Sequence, residues 1–295
     1  MKKALTIIVI FILFLCSSFV KVIAPEAPQI PKSTPEPTLE PTSTPIPQER
    51  EGLNDLKFQL EEKIKSINGE WGVYVKNLNT NEFLMINENE MPSASLIKLF
   101  IMTAVYNEFN NGTKERNEKI DELLKNMICV SDNDSANKLC EYLGNGDMIA
   151  GFDVENANTK NLDCTYTIQQ TDLQDNRANS KIRYIGRNYT SPRDCGHLLE
   201  LIYRKELYSE EYSNEMLELL KAQERTYKIP SSLPDEIVTA NKTGEMTGVE
   251  NDVAIVYSPQ CDYIITVMSN HVPNNDRAIS NVQLISSMVY NYFNQ

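Results

Sequence analysis

Histidine is scarce in this chain of 295 residues, which contains only His197 and His271, far apart in sequence. A metal site built on several histidines is therefore not expected, and we predict neither a metal ion nor another cofactor. A Ser-His-Asp triad is also disfavoured, although one histidine could still serve in one. If the chain carries out hydrolysis, its base is expected to be a residue other than histidine.

Cysteine spacing excludes two further classes of site. No two of the six cysteines have C-x-x-C spacing, so neither a zinc site nor a thioredoxin-like motif is indicated. Cys16 lies in an apolar N-terminal segment. The other five are Cys129, Cys140, Cys164, Cys195 and Cys261. Five is an odd number, so at least one thiol is free or pairs with another chain, and one internal disulfide is permitted but not required.

Positive charge is also in the minority. The chain has 28 Lys and Arg against 41 Asp and Glu, a net charge of −13. Nucleic-acid binding needs basic residues clustered on one face, so no nucleic-acid partner is expected. Residues 51–295 are sufficient for one domain of two lobes with a sizeable core, which we expect to be a monomer.

The N-terminus has the pattern of an export signal. Two lysines precede an apolar run over 4–20, near the lower length limit of a membrane span. Pro25 directly after Ala24 disfavours cleavage there. A retained membrane anchor over 1–24 is therefore favoured, with a cleaved signal as the alternative. Both predict an extracytoplasmic protein, either membrane-anchored or secreted.

A proline-rich segment follows the apolar run. Residues 25–47 contain eight of the fourteen prolines, together with Thr, Ser and Glu. Such a composition cannot form a core and favours extended polyproline II. At ~3.1 Å per residue it would reach about 70 Å. We interpret residues 25–50 as a linker that holds the domain away from a membrane, and a disordered tail as the less favoured alternative.

Hydrophobic periodicity and turn residues predict an α+β domain. Helices are predicted over 53–67, 92–106, 120–127, 135–143, 192–203, 210–223 and 279–293; strands over 72–77, 82–86, 237–242, 252–258 and 262–269; and a long loop over about 169–189. Strands at both ends of the domain would share one antiparallel sheet, and the central helices would form a second lobe. The crevice between the lobes is the expected binding site.

The helix predicted over 92–106 is apolar on every side, apart from one lysine near its start. Ser93 is a candidate N-cap. Ser95 and Lys98 are three residues apart and thus share a face of the first turn. Burial lowers the pKa of an unpaired lysine, which would place a base beside a hydroxyl nucleophile. Alternatively, Lys98 extends to the surface from a core helix, and Ser-x-x-Lys also occurs at 18–21, where it cannot be a site.

Three short motifs appear in order: Ser95-Leu96-Ile97-Lys98 at the start of a buried helix, Ser131-Asp132-Asn133 before another helix, and Lys242-Thr243-Gly244 at the end of a strand. Together they resemble class A β-lactamases and the penicillin-binding serine hydrolases. The segments 190–194 and 248–256 also resemble that family. The resemblance covers roughly residue 53 to the C-terminus and implies a β-lactamase/transpeptidase-like fold.

The resemblance implies three catalytic residues. Ser95 would be the acylated nucleophile, and Lys98 its general base or part of the proton relay. Ser131 would pass the proton to the leaving nitrogen. Acyl transfer in general needs a nucleophile, a base, a proton path and two donors for the developing oxyanion.

The same resemblance implies the substrate-binding residues. Asn133 would hold the substrate amide, and Lys242 and Thr243 would bind the substrate carboxylate. The backbone N–H groups of Ser95 and Glu245 would form the oxyanion hole. Taken alone, these segments also fit a helix cap and an ordinary strand end.

The long loop departs from the family pattern. Class A β-lactamases carry Glu-x-x-Leu-Asn there, whereas the nearest string here is Gln170-Thr171-Asp172-Leu173-Gln174. Glutamine cannot act as a general base, and Asp172 or Asp175 is a possible substitute. The segment between Ser95 and Ser131 is also short, which predicts a more open crevice rim. Both departures predict slow release of an acyl group.

The sequence thus favours a serine hydrolase that acts on β-lactams or on D-Ala-D-Ala ends of cell-wall peptides. The alternative is a non-hydrolytic penicillin-binding sensor or a cell-wall-binding module. A third hypothesis, a serine-dependent glutaminase, is disfavoured by the export signal. The partners expected are therefore the β-lactam or peptidoglycan peptide and, through the N-terminal segment, a membrane.

Overall fold

The computed structural model of the chain describes residues 51–174 and 186–294. The predicted anchor over 1–24 and the linker over 25–50 lie outside the described residues, as do Cys16 and Asp175. Among the helices of the described part, none is long and apolar enough to span a membrane.

The described residues contain helices and strands in the order expected of an α+β domain. The helices are α1 (Asn54–Lys65), α2 (Ile97–Asn110), α3 (Glu118–Cys129), α4 (Asn133–Leu143), α5 (Met148–Asn161), α6 (Pro192–Tyr203), α7 (Glu210–Lys221) and α8 (Asn275–Phe293). The strands are β1 (Glu70–Asn77), β2 (Phe83–Ile86), β3 (Met91–Pro92), β4 (Tyr189–Thr190), β5 (Val238–Met246), β6 (Val249–Tyr257) and β7 (Tyr263–Asn270).

Strands from both ends of the domain form one sheet, in the order β2-β1-β7-β6-β5. All of its pairings are antiparallel, including β1 with β7 across almost the whole chain, where Val73 pairs with Val267. The predicted α+β architecture is confirmed. The strand β5 lies at one edge of the sheet, so its outer side is open to the rest of the site.

Two hydrophobic cores lie on the two faces of the sheet. Helices α1 and α8 cover one face, with Leu56, Trp71 and Val282 in that core. The helices of the central lobe cover the other face and surround α2. Eleven of the 14 residues of α2 are buried, which confirms a helix buried on all sides. The lobe therefore holds the start of α2 rigidly beside the sheet.

The helix α5 was not predicted from the sequence. Its buried side chains include Glu155, Asn158 and Thr159, so the apolar periodicity that identifies a helix is missing. The helix packs closely on α4 at Gly151. A Cβ atom there would lie only 1.9 Å from the carbonyl oxygen of Cys140.

Two local expectations are corrected. The strand β5 continues through Lys242-Thr243-Gly244 to Met246 and does not end at the glycine. Ser93 makes no side-chain cap to the turn that follows it, and a 3-10 turn, Ala94–Leu96, precedes α2. The five described cysteines are all buried free thiols, so none of them forms the disulfide that export would permit.

Candidate active site

Ser95 lies in the 3-10 turn that leads into α2. The residue before it, Ala94, has a φ of 45°, a conformation that L-residues rarely adopt. The Asn251 side chain on β6 fixes this turn by donating to the carbonyl oxygens of Pro92 and Ser93, at 3.0 and 3.3 Å. Backbone strain that is held by surrounding contacts is typical of functional sites.

Lys98 is fully buried directly below Ser95. Its Nζ lies 3.1 Å from Ser95 Oγ, 3.2 Å from Ser131 Oγ and 2.7 Å from Asn133 Oδ1, and it donates to the Ser131 carbonyl at 2.6 Å. The lysine therefore does not extend to the surface. It joins the first two motifs within one hydrogen-bonded group.

The loop before α4 presents Ser131 to this group. Asp132 is the N-cap of α4 and accepts from the Ser135 N–H at 2.6 Å. Ser131 has a φ of 62°, so the backbone turns sharply just before the helix begins. The cap and the turn together place the Ser131 hydroxyl opposite Lys98. They also make Asn133 the first residue of α4.

Lys242 reaches the same hydroxyl from the sheet. Its Nζ is fully buried and donates to Ser131 Oγ at 2.8 Å and to the Thr243 carbonyl at 2.8 Å. Burial, with the positive charges of Lys98 and Arg225, holds the pKa of Lys242 well below its usual range. Ser131 Oγ thus lies between two lysine amines.

Gly244 lets the sheet approach the nucleophile turn. A Cβ atom there would lie 2.9 Å from the Ser93 carbonyl oxygen and 3.2 Å from Leu96 Cγ. Any larger residue would push β5 away from Ser95. Behind the strand, the fully buried Lys228 lies 2.6 Å from Glu250 Oε2 and donates to the Gly244 carbonyl at 3.3 Å.

A cavity of about 480 Å³ opens in front of these residues. The predicted site residues that line it are Ser95, Ser131, Asn133, Thr243 and Glu245. The amines of Lys98 and Lys242 lie behind the cavity wall and contact it through the Ser131 hydroxyl. All of the predicted site residues are therefore brought to one place.

The long loop contributes glutamine to this cavity. Gln174 lines it, whereas Gln170 donates to the Arg187 carbonyl at 3.0 Å. Asp172 is buried and accepts from the Thr171 hydroxyl at 3.3 Å. Asn137 on α4 holds the loop by hydrogen bonds to both backbone groups of Leu173. Among the described residues, no carboxylate of this loop lines the cavity.

Sequence reasoning missed three residues that shape the site: Asn251, Lys228 and Arg225. Arg225 lines the cavity and lies 3.4 Å from Glu245 Oε1. Asn251 was noted only within a strand resemblance. Arg225 and Lys228 fall outside every predicted element, and their charge in an acidic chain is the only signal that could have drawn attention to them.

Comparison with known proteins gives a consistent result. A sequence model described as the β-lactamase enzyme family matches residues 55–121 and 118–293. The solved structure of PBP-A is 23% identical, with a TM-score of 0.73 over 85% of this chain and 99% of that chain.

Two solved β-lactamases share the fold as well. The enzyme from Sphaerobacter thermophilus is 18% identical, with a TM-score of 0.70 over 82% of this chain and 98% of that chain. An ancestral class A β-lactamase, GNCA, is 20% identical, with a TM-score of 0.70 over 81% and 100%. A mutant of PBP-A was solved as an acyl-enzyme complex with penicillin G. No curated protein matches the chain.

Proposed function

Because the chain belongs to the β-lactamase enzyme family of serine hydrolases, we propose that Ser95 forms an acyl-enzyme with β-lactams or with D-Ala-D-Ala ends of cell-wall peptides. The observation that carries this proposal is the 3.1 Å contact between Ser95 Oγ and the fully buried Nζ of Lys98. A hydroxyl beside a buried amine is the arrangement of an activated serine nucleophile.

In the proposed reaction, Ser95 Oγ attacks the carbonyl carbon while its proton passes to the neutral amine of Lys98. Lys98 then gives a proton to Ser131 Oγ, at 3.2 Å, as Ser131 releases its own proton to the leaving nitrogen. The number of protons is conserved along this path. The buried amines of Lys98 and Lys242 both contact the Ser131 hydroxyl. Positive charges on both amines would repel each other, so one of the two amines is favoured in its neutral form.

The remaining site residues are proposed to bind the substrate. The backbone N–H groups of Ser95 and Glu245 would stabilise the oxyanion, for which a single donor is typically worth ~10²–10³ in rate. Asn133 would hold the substrate amide. Thr243 would contact the substrate carboxylate, with Lys242 raising the positive potential behind it. A β-lactam or a dipeptide end fits a cavity of about 480 Å³.

We propose that the acyl group is released slowly. Gln174 lines the cavity from the long loop, and glutamine cannot activate a water molecule. This observation favours a second candidate function, in which the chain is a penicillin-binding sensor that remains acylated. PBP-A, with the same fold, yields an acyl-enzyme complex with penicillin G in mutant form, which is compatible with either candidate.

We also propose that the domain works outside the cytoplasm. The basic, apolar N-terminus over 1–24 and the proline-rich segment over 25–50 support an exported domain on a membrane tether. Cell fractionation followed by protease treatment of intact cells tests this. A domain that stays protected from the protease in intact cells would contradict it.

Labelling the full-length protein with fluorescent penicillin tests the acyl chemistry. We expect covalent label on the wild type and none on the Ser95→Ala variant. A chase with unlabelled penicillin then separates the candidates. Label that persists for hours supports the sensor, and rapid loss with turnover of a chromogenic cephalosporin supports the β-lactamase. A wild type without label would contradict both.

A further inference from the structure

We infer that a groove between α3 and α4 is an extended binding site for the part of a peptide substrate that precedes its D-Ala-D-Ala end. The inference rests on the proposed function, because it concerns the same substrate, and it narrows that substrate to a peptide with charged groups in a defined order. The three sequence motifs account for the catalytic cavity and assign no ligand to this groove.

The groove is continuous with the catalytic cavity. It has a volume of about 490 Å³ and lies between one face of α3 and the first turns of α4. Val130, Asp132 and Asp134 line both the groove and the cavity that contains Ser95. A ligand bound at Ser95 can therefore extend into the groove without leaving the protein surface.

The first residues of α4 give the direction of this extension. Asn133 begins α4 and is proposed to hold the substrate amide, and Asp134 follows it and is exposed. A peptide bound through that amide continues past Asp134, where the cavity opens into the groove. The cavity of about 480 Å³ takes the D-Ala-D-Ala end, and the residues before that end need the further space of the groove.

Charge changes sign along the groove. Asp132 and Asp134 carry negative charge at the end that adjoins the cavity. Lys138 lies one helical turn beyond Asp134, and Lys119 lies about 15 Å before the end of α3. Glu122 lies between them, which leaves one net positive charge at the far end. The near end therefore suits an amine of the ligand, and the far end suits a carboxylate.

The two lysines are available to a ligand. Both are exposed, and neither forms an ion pair with another residue of the described part of the chain. The floor of the groove is partly apolar, with Val130 39% exposed and Leu123 half-buried. A cleft of this volume is within the range that holds small ligands, ~300–1,000 Å³, so it fits a peptide segment and not a folded partner.

The connection between α2 and α3 leaves the groove open. Lys114 donates to the Tyr142 carbonyl at 2.7 Å, and the Tyr142 hydroxyl donates to the Glu115 carbonyl at 2.9 Å, so this connection is held at the far end of α4. None of its residues, 111–117, lines the groove or the cavity. The groove is thus accessible from solvent along its length.

Binding of short peptides tests the acidic end. The probes are N-acetyl-L-lysyl-D-alanyl-D-alanine and the same peptide with its side-chain amine acetylated, titrated into full-length protein carrying Ser95→Ala so that no acylation occurs. We expect the free amine to bind about threefold more tightly, as is typical of a partly exposed ion pair. Asp134→Asn should remove this preference by weakening the amine peptide alone. Asp153→Asn on α5, outside both linings, should preserve it.

Longer probes test the basic end. The lysyl peptide is extended at its N-terminus by a glutamyl residue or, as the neutral match, by a glutaminyl residue. We expect the glutamyl peptide to bind about threefold more tightly. The double variant Lys119→Gln/Lys138→Gln should remove this preference, whereas Lys125→Gln, on α3 outside the groove, should preserve it.

The outcomes against the inference are distinct from failure of the proposed function. Equal affinities for charged and neutral probes before any groove substitution would overturn the inference. So would preferences that survive Asp134→Asn and the double lysine variant, equal losses for the two members of a probe pair, or no binding of any peptide. Failure of the proposed function is seen separately, as absence of fluorescent penicillin label on the wild type.

Discussion

Two fully buried lysines, Lys242 in the strand β5 and Lys228 packed against that strand, have opposite surroundings. Lys228 lies 2.6 Å from Glu250 Oε2 and donates to backbone carbonyls of Gly244 and Asn251. Lys242 has only the Ser131 hydroxyl and the Thr243 carbonyl as hydrogen-bond partners in the described part of the chain, and no carboxylate within 4 Å there. One lysine therefore pairs with a carboxylate, and the other contacts only a hydroxyl and a carbonyl.

The same residue type thus has a structural use at Lys228 and a chemical use at Lys242 within one fold. Lys228 pairs with Glu250 on β6 and donates to the carbonyls of Gly244 on β5 and Asn251 on β6, so it fixes β5 to β6. Lys242 is desolvated and faces other cations, which lower its pKa. Because the positive charge of Lys242 is destabilised, its amine can change protonation state when a proton is transferred beside it. Substituting each lysine should therefore give opposite patterns of loss.

Replacing Lys242 should remove chemistry and spare the fold. We expect Lys242→Met to lower the rate of Ser95 acylation by about 10²–10⁴, because the Ser131 hydroxyl loses the amine that orients it. The free energy of unfolding should change by less than about 1 kcal/mol, since no carboxylate loses its partner. Stopped-flow acylation with a chromogenic cephalosporin and urea unfolding measure the two effects. An acylation rate within threefold of the wild type would contradict this role.

Replacing Lys228 should do the reverse. Lys228→Met leaves Glu250 buried without its cation, which typically destabilises a protein by about 3–5 kcal/mol. We expect the urea midpoint to fall accordingly. The double variant Lys228→Met/Glu250→Gln should recover much of that loss because it removes the uncompensated charge. Equal stability of the single and double variants would show that the ion pair is not the cause.

Short-range patterns explain why much of the site was predictable. Ser95 and Lys98 are one helical turn apart, and Ser131 and Asn133 flank a helix cap, so local geometry alone places each pair together. The order of the three motifs along the chain then indicated the fold, which the family match and the solved structures confirm.

The unpredicted parts depend on long-range contacts. Arg225 and Lys228 follow α7 in a segment whose only regular element is a short 3-10 turn, so no periodicity fixes their direction. The helix α5 was missed because buried polar residues replace its apolar face. For example, Asn158 donates to the Thr103 hydroxyl at 3.2 Å and accepts from Tyr208 at 2.7 Å. Such pairs are made only after the helices have packed.

A buried carboxylate in α5 extends the comparison of the two lysines to an acidic group. Glu155 in α5 is fully buried, with Oε1 accepting from Thr159 and Oε2 without a partner among the described residues. Burial raises the pKa of Glu155 to about 8. The unfolded chain loses this proton at lower pH than the folded chain. Stability from Glu155 is therefore complete below about pH 4.5 and falls as the pH rises to 8.

We expect Glu155→Gln to remove this dependence. Between pH 6 and 8 the free energy of unfolding of the wild type should fall relative to the variant by about 2 kcal/mol, from 1.36 kcal/mol per pKa unit. Urea unfolding of both proteins at each pH measures the difference, and other titrating groups such as Asp252 affect both proteins alike. Parallel curves would mean that Glu155 is ionised inside the fold, and thus that burial without a partner does not by itself keep a group neutral in this lobe.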